Sequence, residues 1–354
     1  MNKKKDKKKF KRKNIKLSNV EIDNVDNFTE DEVQEEKRAE KKSVKKGKFS
    51  SKSSLKLKKG RILEVRSNYK CLVKIDDQEV ICTLGGRFKH VNFETKSIIA
   101  PGDYVNVDIS KEFRIEEIRD RENTLSRFSD KEFQMEIIIA SNVDQVIITS
   151  SYKEPKIKLN LIDRYICSAL ISNIDPVICI NKIDLADSLE TVHNIGSFYL
   201  KLGFKVIYTS IKTASGIREL KAILKNHDSV FSGHSGAGKS SLINMLQPEL
   251  DLKTAAISNY HKKGIHTTTR SRLLSWKFGG YLVDTPGIKT FGLHRDDKER
   301  IPSIFPGFSA FTEECKFHNC SHTHEQNCGV KRAVENGVYP AARYDSFKRI
   351  WESL

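Results

Sequence analysis

The 354-residue sequence contains no apolar run that approaches the length of a bilayer span, so no membrane-spanning helix is expected. Its first residues carry no apolar signal core, so export is not expected. Cysteine is sparse and odd in number, with seven in the chain. Cys71, Cys82, Cys167 and Cys179 are scattered in apolar, strand-like or helix-like contexts and read as buried core thiols. That fits a reducing cytoplasm better than an exported disulfide scaffold. Acidic residues are also in deficit, 46 Asp and Glu against 62 Lys and Arg, which leaves a net charge of +16. The imbalance concentrates at the start, where residues 1–60 hold 21 basic against 10 acidic side chains. A basic chain with a very basic tail points to a polyanion partner, with RNA the leading candidate and a merely solubilising tail the alternative. Residues 1–56 also hold few large apolar side chains, cannot bury enough surface to offset ordering, and are expected to form a disordered charged tail. The acidic block from Glu21 to Glu36 argues against an organelle transit peptide, which would be acid-poor.

From about Leu57 to Arg121 the hydrophobic period is two. Five short strands are predicted, over Arg61–Arg66, Lys70–Ile75, Glu79–Thr83, Tyr104–Ile109 and Arg114–Arg119. Asp76-Asp77, Gly85-Gly86 and Pro101-Gly102-Asp103 separate them as turns. So many short strands in one small segment predict a closed barrel of OB-fold type over 57–125. The loop from Gly85 to His90 combines basic and aromatic side chains, which suits RNA backbone and stacked bases; a generic barrel with a basic loop is the alternative.

From about Ile137 strands and helices alternate, the pattern of a parallel sheet with helices on both faces. Gly233-His234-Ser235-Gly236-Ala237-Gly238-Lys239-Ser240 stands between a short apolar strand and a helix that begins near Ser241. This is the phosphate-binding G-x-x-x-x-G-K-[ST] loop in the context it requires. Its amides can cradle a triphosphate, Lys239 can reach the β- and γ-phosphates, and the Ser240 hydroxyl can sit on Mg²⁺. Asn181-Lys182-Ile183-Asp184 ends an earlier strand. The Asp184 carboxylate can accept the N1 and N2 protons of guanine, a donor pair that adenine lacks. Asn181 can tie this loop to the P-loop and face the base O6, and the Lys182 stem can cover the ring. Ser210 follows at the next strand end, beside Ile211 where an Ala is common in GTPases. Asp284-Thr285-Pro286-Gly287 gives D-x-x-G, with Asp284 for Mg²⁺ and the Gly287 amide for the γ-phosphate. Among the threonines of the 264–270 segment, Thr269 is the expected Mg²⁺ ligand. The residue after D-x-x-G is Ile288, which cannot orient a water, so His266 is the candidate for that role, or else is a solvated loop residue.

These parts stand in rotated order, with the base-reading motifs before the P-loop and D-x-x-G last. A circularly permuted P-loop GTPase domain over 126–298 accounts for this, since joining nearby termini and opening the chain elsewhere preserves a fold. The segment that follows carries Cys315, Cys320, His322 and Cys328 at C-x4-C-x-H-x5-C spacing. Three Cys and one His make a closed tetrahedral set for one structural Zn²⁺. His318 or His324 as fourth ligand, or a disulfide with a spare thiol, are the alternatives. Two basic amphipathic helices, from Val330 and from Arg343, complete a small zinc-binding helical domain over 299–354.

Taken with Ser141-Asn142-Val143-Asp144-Gln145-Val146, Ile162-Asp163-Arg164-Tyr165 and His266-Thr267-Thr268-Thr269, these motifs give a chain that resembles the RsgA (YjeQ) family over about 57–354. These are bacterial circularly permuted GTPases of late small-ribosomal-subunit maturation. The resemblance implies an OB-fold, a permuted GTPase domain and a zinc domain, hydrolysis stimulated by the subunit, and RNA contacts from both flanking domains. It also implies a part for His266 in hydrolysis. The expected partners are GTP or GDP and the small subunit with its rRNA, with no membrane and a monomeric, cytoplasmic protein. The expected site is Asn181 to Asp184, Ser210, Gly233 to Ser241 and Gly287 for GTP, with His266 and Lys239 catalytic. A P-loop kinase is the transferase alternative, disfavoured by N-K-x-D and by the lack of an obvious acceptor site; an RNA-binding module with GTP as a structural ligand is another.

Overall fold

A computed structural model describes residues 55–66, 70–86, 88, 98–110, 112–128, 136–252, 271–285 and 292–354. Residues 1–54 of the charged tail, Arg87, Lys89 and His90 of the Gly85–His90 loop, the segment with His266 and Thr269, and Gly287 lie outside the described residues.

The five predicted barrel strands are present as β1 (Leu57–Val65), β2 (Lys70–Ile75), β3 (Gln78–Leu84), β4 (Tyr104–Asp108) and β5 (Arg114–Ile118). The two-residue period works as expected: Cys71, Val73 and Ile75 turn inward with Ile62, Val105, Val107 and Ile115. β1 pairs with both β2 and β4, β3 with both β2 and β5, and β4 with β5, which closes the ring. This is the expected OB arrangement. The four cysteines read as core thiols are all buried and free. Burial pushes Cys71, Cys82 and Cys179 up to about 12, so they stay protonated.

A hairpin that the sequence reading did not anticipate follows, β6 (Thr124–Phe128) with β7 (Glu136–Ser141). Then come β8 (Gln145–Ser151), β9 (Asp175–Asn181), β10 (Lys205–Thr209), β11 (Ser229–Ser232), β12 (Arg272–Ser275) and β13 (Tyr281–Asp284). Five of these run parallel in the order β10-β9-β8-β11-β13. Helices α1 (Leu159–Ile171) and α2 (Leu189–Lys201) cover one face; α3 (Ile217–Leu224) and α4 (Lys239–Leu246) cover the other. Alternate residues of one strand feed different cores. Val146 and Ile148 pack with Ile162, Ile166 and Tyr199, while Ile147 packs with Leu220, Leu242 and Phe231. Strands buried on both faces read as continuous apolar runs, which is why β8 and β9 were legible. β12 is antiparallel to β13 and pairs on its other edge with β1, Glu64 opposite Arg272. The barrel and the α/β unit therefore share one eleven-stranded sheet.

Buried ionic groups fix these parts. Arg61 pairs with Asp228, donates to the Asn142 carbonyl at 3.2 Å, and stacks over Tyr104 and Tyr281. Asp103, fully buried, accepts from Arg121 Nε and Nη2 at 2.6 and 2.7 Å and from Ser141 Oγ at 2.6 Å. The C-terminal segment forms α5 (Ile301–Ile304), α6 (Gly329–Glu335) and α7 (Ala341–Glu352), the last two being the helices predicted there. Phe305, Phe308, Tyr339, Phe347 and Ile350 form its core, which also takes in Cys167 of α1. Arg343 of α7 reaches both Asp163 oxygens of α1 at 3.1 Å and the Tyr199 hydroxyl of α2 at 2.6 Å. Its guanidinium lies 4.7 and 4.6 Å from the Phe198 and Tyr199 ring centroids. Burial raises the Asp163 carboxyl and Arg343 opposes that. Both charges lose water to make such a pair, so its net gain is small, whereas removing one partner would strand the other in a buried site. The C-terminal body, although it follows β13 in the chain, is thus seated on α1 and α2.

Candidate functional site

The motif-bearing loops emerge at the carboxyl ends of β9, β10, β11 and β13, where open α/β sheets bind ligands. Gly233 to Gly238 connect β11 to α4, and Lys239 and Ser240 open that helix. Gly233 has φ of 140°, and a Cβ there would collide with the Thr149 carbonyl of β8. Gly238 has φ of 95°, and a Cβ there would strike Asn181 Nδ2. The loop thus fits its neighbours only as glycine at these two points. Lys239 Nζ donates to the carbonyls of Gly233 at 2.6 Å and His234 at 2.9 Å, and burial pulls its pKa down. Ser235 and Gly236 are exposed, Ala237 is buried, and Ser241 follows Ser240 in the first turn.

Asn181 is fully buried and joins the two halves of the site. Its Nδ2 donates to the Ala237 carbonyl at 2.9 Å, the tie to the P-loop that the sequence suggests, and its Oδ1 accepts from Thr209 Oγ1 at 3.0 Å. Lys182 sits in the left-handed region at φ of 61° and donates to the Glu154 carbonyl at 2.5 Å. Ile183 begins a short 3-10 turn that contains Asp184. Ser210 Oγ donates to Asp184 Oδ1 at 2.6 Å and accepts from the Thr213 amide at 3.2 Å. Ser210 therefore holds the carboxylate that can read guanine. Ile211, the departure from the common GTPase pattern, packs against the core that includes Leu220 and Leu242.

Thr209 is the functional residue missed from the sequence. The signal was available: a hydroxyl at the last position of β10, directly opposite Asn181 of β9. Asp284 ends β13, partly buried, with its Oδ2 accepting from Arg272 Nε at 3.1 Å. His266, Thr269 and Gly287 lie outside the described residues, so of the residues expected around the γ-phosphate only Lys239, Ser240 and Asp284 are described.

Cys315, Cys320, His322 and Cys328 converge, with one ligand atom from each within 4.8 Å of the others. Cys315 Sγ is 3.6 Å from His322 Nδ1 and 4.0 Å from Cys328 Sγ, and His322 Nδ1 is 3.3 Å from Cys328 Sγ. A tetrahedral metal with sulfur at about 2.3 Å has edges near 3.8 Å, so the donor set fits Zn²⁺. His324 is exposed and turned toward Ser321 and Thr323. Backbone amides of Gly329 and Lys331 donate to Cys315 Sγ at 3.2 Å and Cys328 Sγ at 3.4 Å, as supports for thiolates. Burial pushes the Cys320 thiol up to about 12, and a cation is what would hold such sulfurs deprotonated at neutral pH. Burial also lowers His322, which keeps its imidazole in the neutral form that ligates. His322 packs edge-on against Phe308 at 5.3 Å, and its carbonyl accepts from the Tyr344 hydroxyl at 2.7 Å, which fastens the cluster to α7.

Guanine-reading loops that precede the P-loop on a sheet of this strand order define the class as a circularly permuted GTPase. A family model described as RsgA GTPase matches residues 118–294. A small ribosomal subunit biogenesis GTPase RsgA of Flavobacterium psychrophilum is 37% identical over 278 residues, 77% of this chain and 85% of the relative. The protein of the same description from Bacteroides fragilis is 36% identical and spans 79% and 92%. Among solved structures, YjeQ from Thermotoga maritima superposes with a TM-score of 0.68 at 32% identity, covering 84% of this chain and 98% of that one. YloQ, described as a circularly permuted GTPase, gives 0.64 at 27% identity, with 86% and 97% covered. The chain belongs to the RsgA GTPase family.

Thr209→Val removes the hydroxyl that holds Asn181 and strands a buried acceptor, a cost of about 1–2 kcal/mol. The variant is expected to bind a fluorescent GTP analogue roughly ten-fold more weakly than wild type, by equilibrium titration. Unchanged affinity would show that Asn181 is held without it.

Proposed function

We propose that this chain is a GTP hydrolase of small-ribosomal-subunit maturation, whose turnover the subunit stimulates and whose release follows hydrolysis. The observation that carries this reading is the joining of a guanine-selective loop to a phosphate-binding loop through Asn181, on the sheet that continues into the barrel. In this reading Asp184 accepts the two guanine donors, Lys182 covers the ring with its stem, and Asn181, Ile183 and Ser210 shape the base pocket. The loop from Gly233 to Ser241 wraps the phosphates, with Lys239 on the β- and γ-oxygens. Ser240, Asp284 and Thr269 hold Mg²⁺, and the Gly287 amide senses the γ-phosphate. Magnesium bound there would offset the charge that develops on the phosphate oxygens. His266 orients the attacking water, a role that the aliphatic Ile288 cannot fill.

The four-residue cluster from Cys315 to Cys328 holds one structural Zn²⁺, which supplies the C-terminal body with a covalent brace. Residues 57–125 and 299–354 contact rRNA on either side of the nucleotide unit at 126–298, with residues 1–56 as a charged tail. The protein acts in the cytoplasm as a monomer.

Multiple-turnover phosphate release, measured with and without purified small subunits, tests the function. We expect the subunit to raise GTP turnover by more than roughly ten-fold. Absence of stimulation, together with nucleotide-independent binding, would contradict the ribosomal role and leave the GTPase intact. For the metal, native mass spectrometry should find one zinc per chain, lost in Cys320→Ser. An intact apo chain with all four ligands present would overturn the zinc assignment.

A further inference from the structure

Arg272 occupies a position that the nucleotide reading does not use. On β12 it stands directly opposite Asp284 of β13 on one edge and Glu64 of β1 on the other. Directly opposed residues of antiparallel strands project to the same face. Three strands therefore present an acid, a base and an acid in one row, from the barrel to the end of β13. The Arg272 Nε donates to Asp284 Oδ2 at 3.1 Å. Its side chain is about half exposed, whereas Asp284 is mostly covered. Glu64 Oε2 accepts from Arg66 Nε at 3.2 Å, and Glu64 too is mostly covered. The guanidinium is thus paired with the group assigned to Mg²⁺, and strand register sets a second acidic residue, Glu64, beside it.

A guanidinium and a divalent cation that draw on one carboxylate oppose each other. Like charges a few ångströms apart disfavour joint occupancy, and a carboxylate shared with Arg is a weaker acceptor for a metal-bound water. We propose that Arg272 is a positioning residue that competes with Mg²⁺ for Asp284 and is drawn off by Glu64 when magnesium and nucleotide bind. The magnesium requirement of the site is then set in part by a residue of the barrel strand β1. A partner that engages the barrel and takes up or frees Glu64 would change that requirement at a distance. This inference rests on Asp284 serving Mg²⁺, as proposed above.

The sign of the effect separates this idea from a plain structural role. If Arg272 only held Asp284 in place, its removal would weaken magnesium binding. As a competitor, its removal strengthens it. The test is the Mg²⁺ concentration that gives half-maximal tight binding of a fluorescent, non-hydrolysable GTP analogue, for the full-length chain and its variants. Arg272→Gln should lower that concentration by about three-fold, the scale of one partly exposed charge pair. Glu64→Gln should raise it by a similar factor, because the guanidinium then has only Asp284 to pair with. The double variant should match Arg272→Gln, since Glu64 acts through Arg272. Arg272→Lys keeps the charge and should stay near wild type, which supplies a second reading if the Gln variant folds poorly. A rise in the magnesium requirement for Arg272→Gln would overturn the proposal, as would indifference to Glu64→Gln in the presence of Arg272. Failure of the wild-type chain to bind guanine nucleotide at saturating magnesium would overturn the nucleotide reading itself, and this inference with it.

Discussion

One buried carboxamide makes the rotated order of this chain workable. Asn181 belongs to the N-K-x-D loop, and the G-x-x-x-x-G-K-S loop comes more than fifty residues later in the sequence. The amide spans them, donating to Ala237 and accepting from Thr209. Both ends are satisfied in a fully buried position, so breaking either leaves an unpaired polar group at a cost that exceeds the gain from forming it. Gly238 lies against the same amide and has no room for a Cβ. The two motif loops are consequently braced against each other. Cutting and rejoining the chain elsewhere does not disturb it, because what the site needs is adjacency in the sheet.

The same economy extends outward. The α/β sheet continues through β12 into β1, so the barrel is an extension of the sheet that bears the nucleotide loops. Arg61 with Asp228, and Asp103 with Arg121, lock that junction with charges that would be costly to expose singly. At the other end Arg343 fastens the Cys₃His body to α1 and α2 through Asp163 and Tyr199. Chain order suggests a C-terminal body joined directly to the γ-phosphate loop. Packing adds that the body is seated on the helices that flank the base-reading strands. The barrel and the Cys₃His body are thus both held on the frame that carries the nucleotide motifs.

Most of this was legible in the sequence, and the exceptions have physical causes. The barrel strands showed as alternation because one face of each is wet, and β8, β9 and β11 showed as apolar runs because both faces are dry. α1 begins and ends where its apolar period does, over Leu159–Ile171. The hairpin of β6 and β7 escaped notice because the connection between them is polar and long, with no tight-turn pair to announce it. β12 is only four residues and takes its identity from its two neighbours. The motif residues were expected from their spacing and flanking elements, but Thr209 and Arg272 were not, since each pairs with a residue of the adjacent strand and register is invisible in one dimension. The fourth ligand of the cysteine cluster was open between three histidines on spacing, and the fold selects His322 by burying it beside Cys328 while leaving His324 in solvent.

The account depends most on Asp184, held by Ser210, as the group that recognises guanine. The direct measurement is the affinity of Asp184→Asn for GTP, ATP and XTP, by competition against a fluorescent nucleotide. An amide offers xanthine a donor for its C2 oxygen and no longer accepts both guanine protons. The account predicts a loss of GTP affinity by roughly a hundred-fold or more and a gain for XTP. A variant that keeps the wild-type preference for GTP would contradict it.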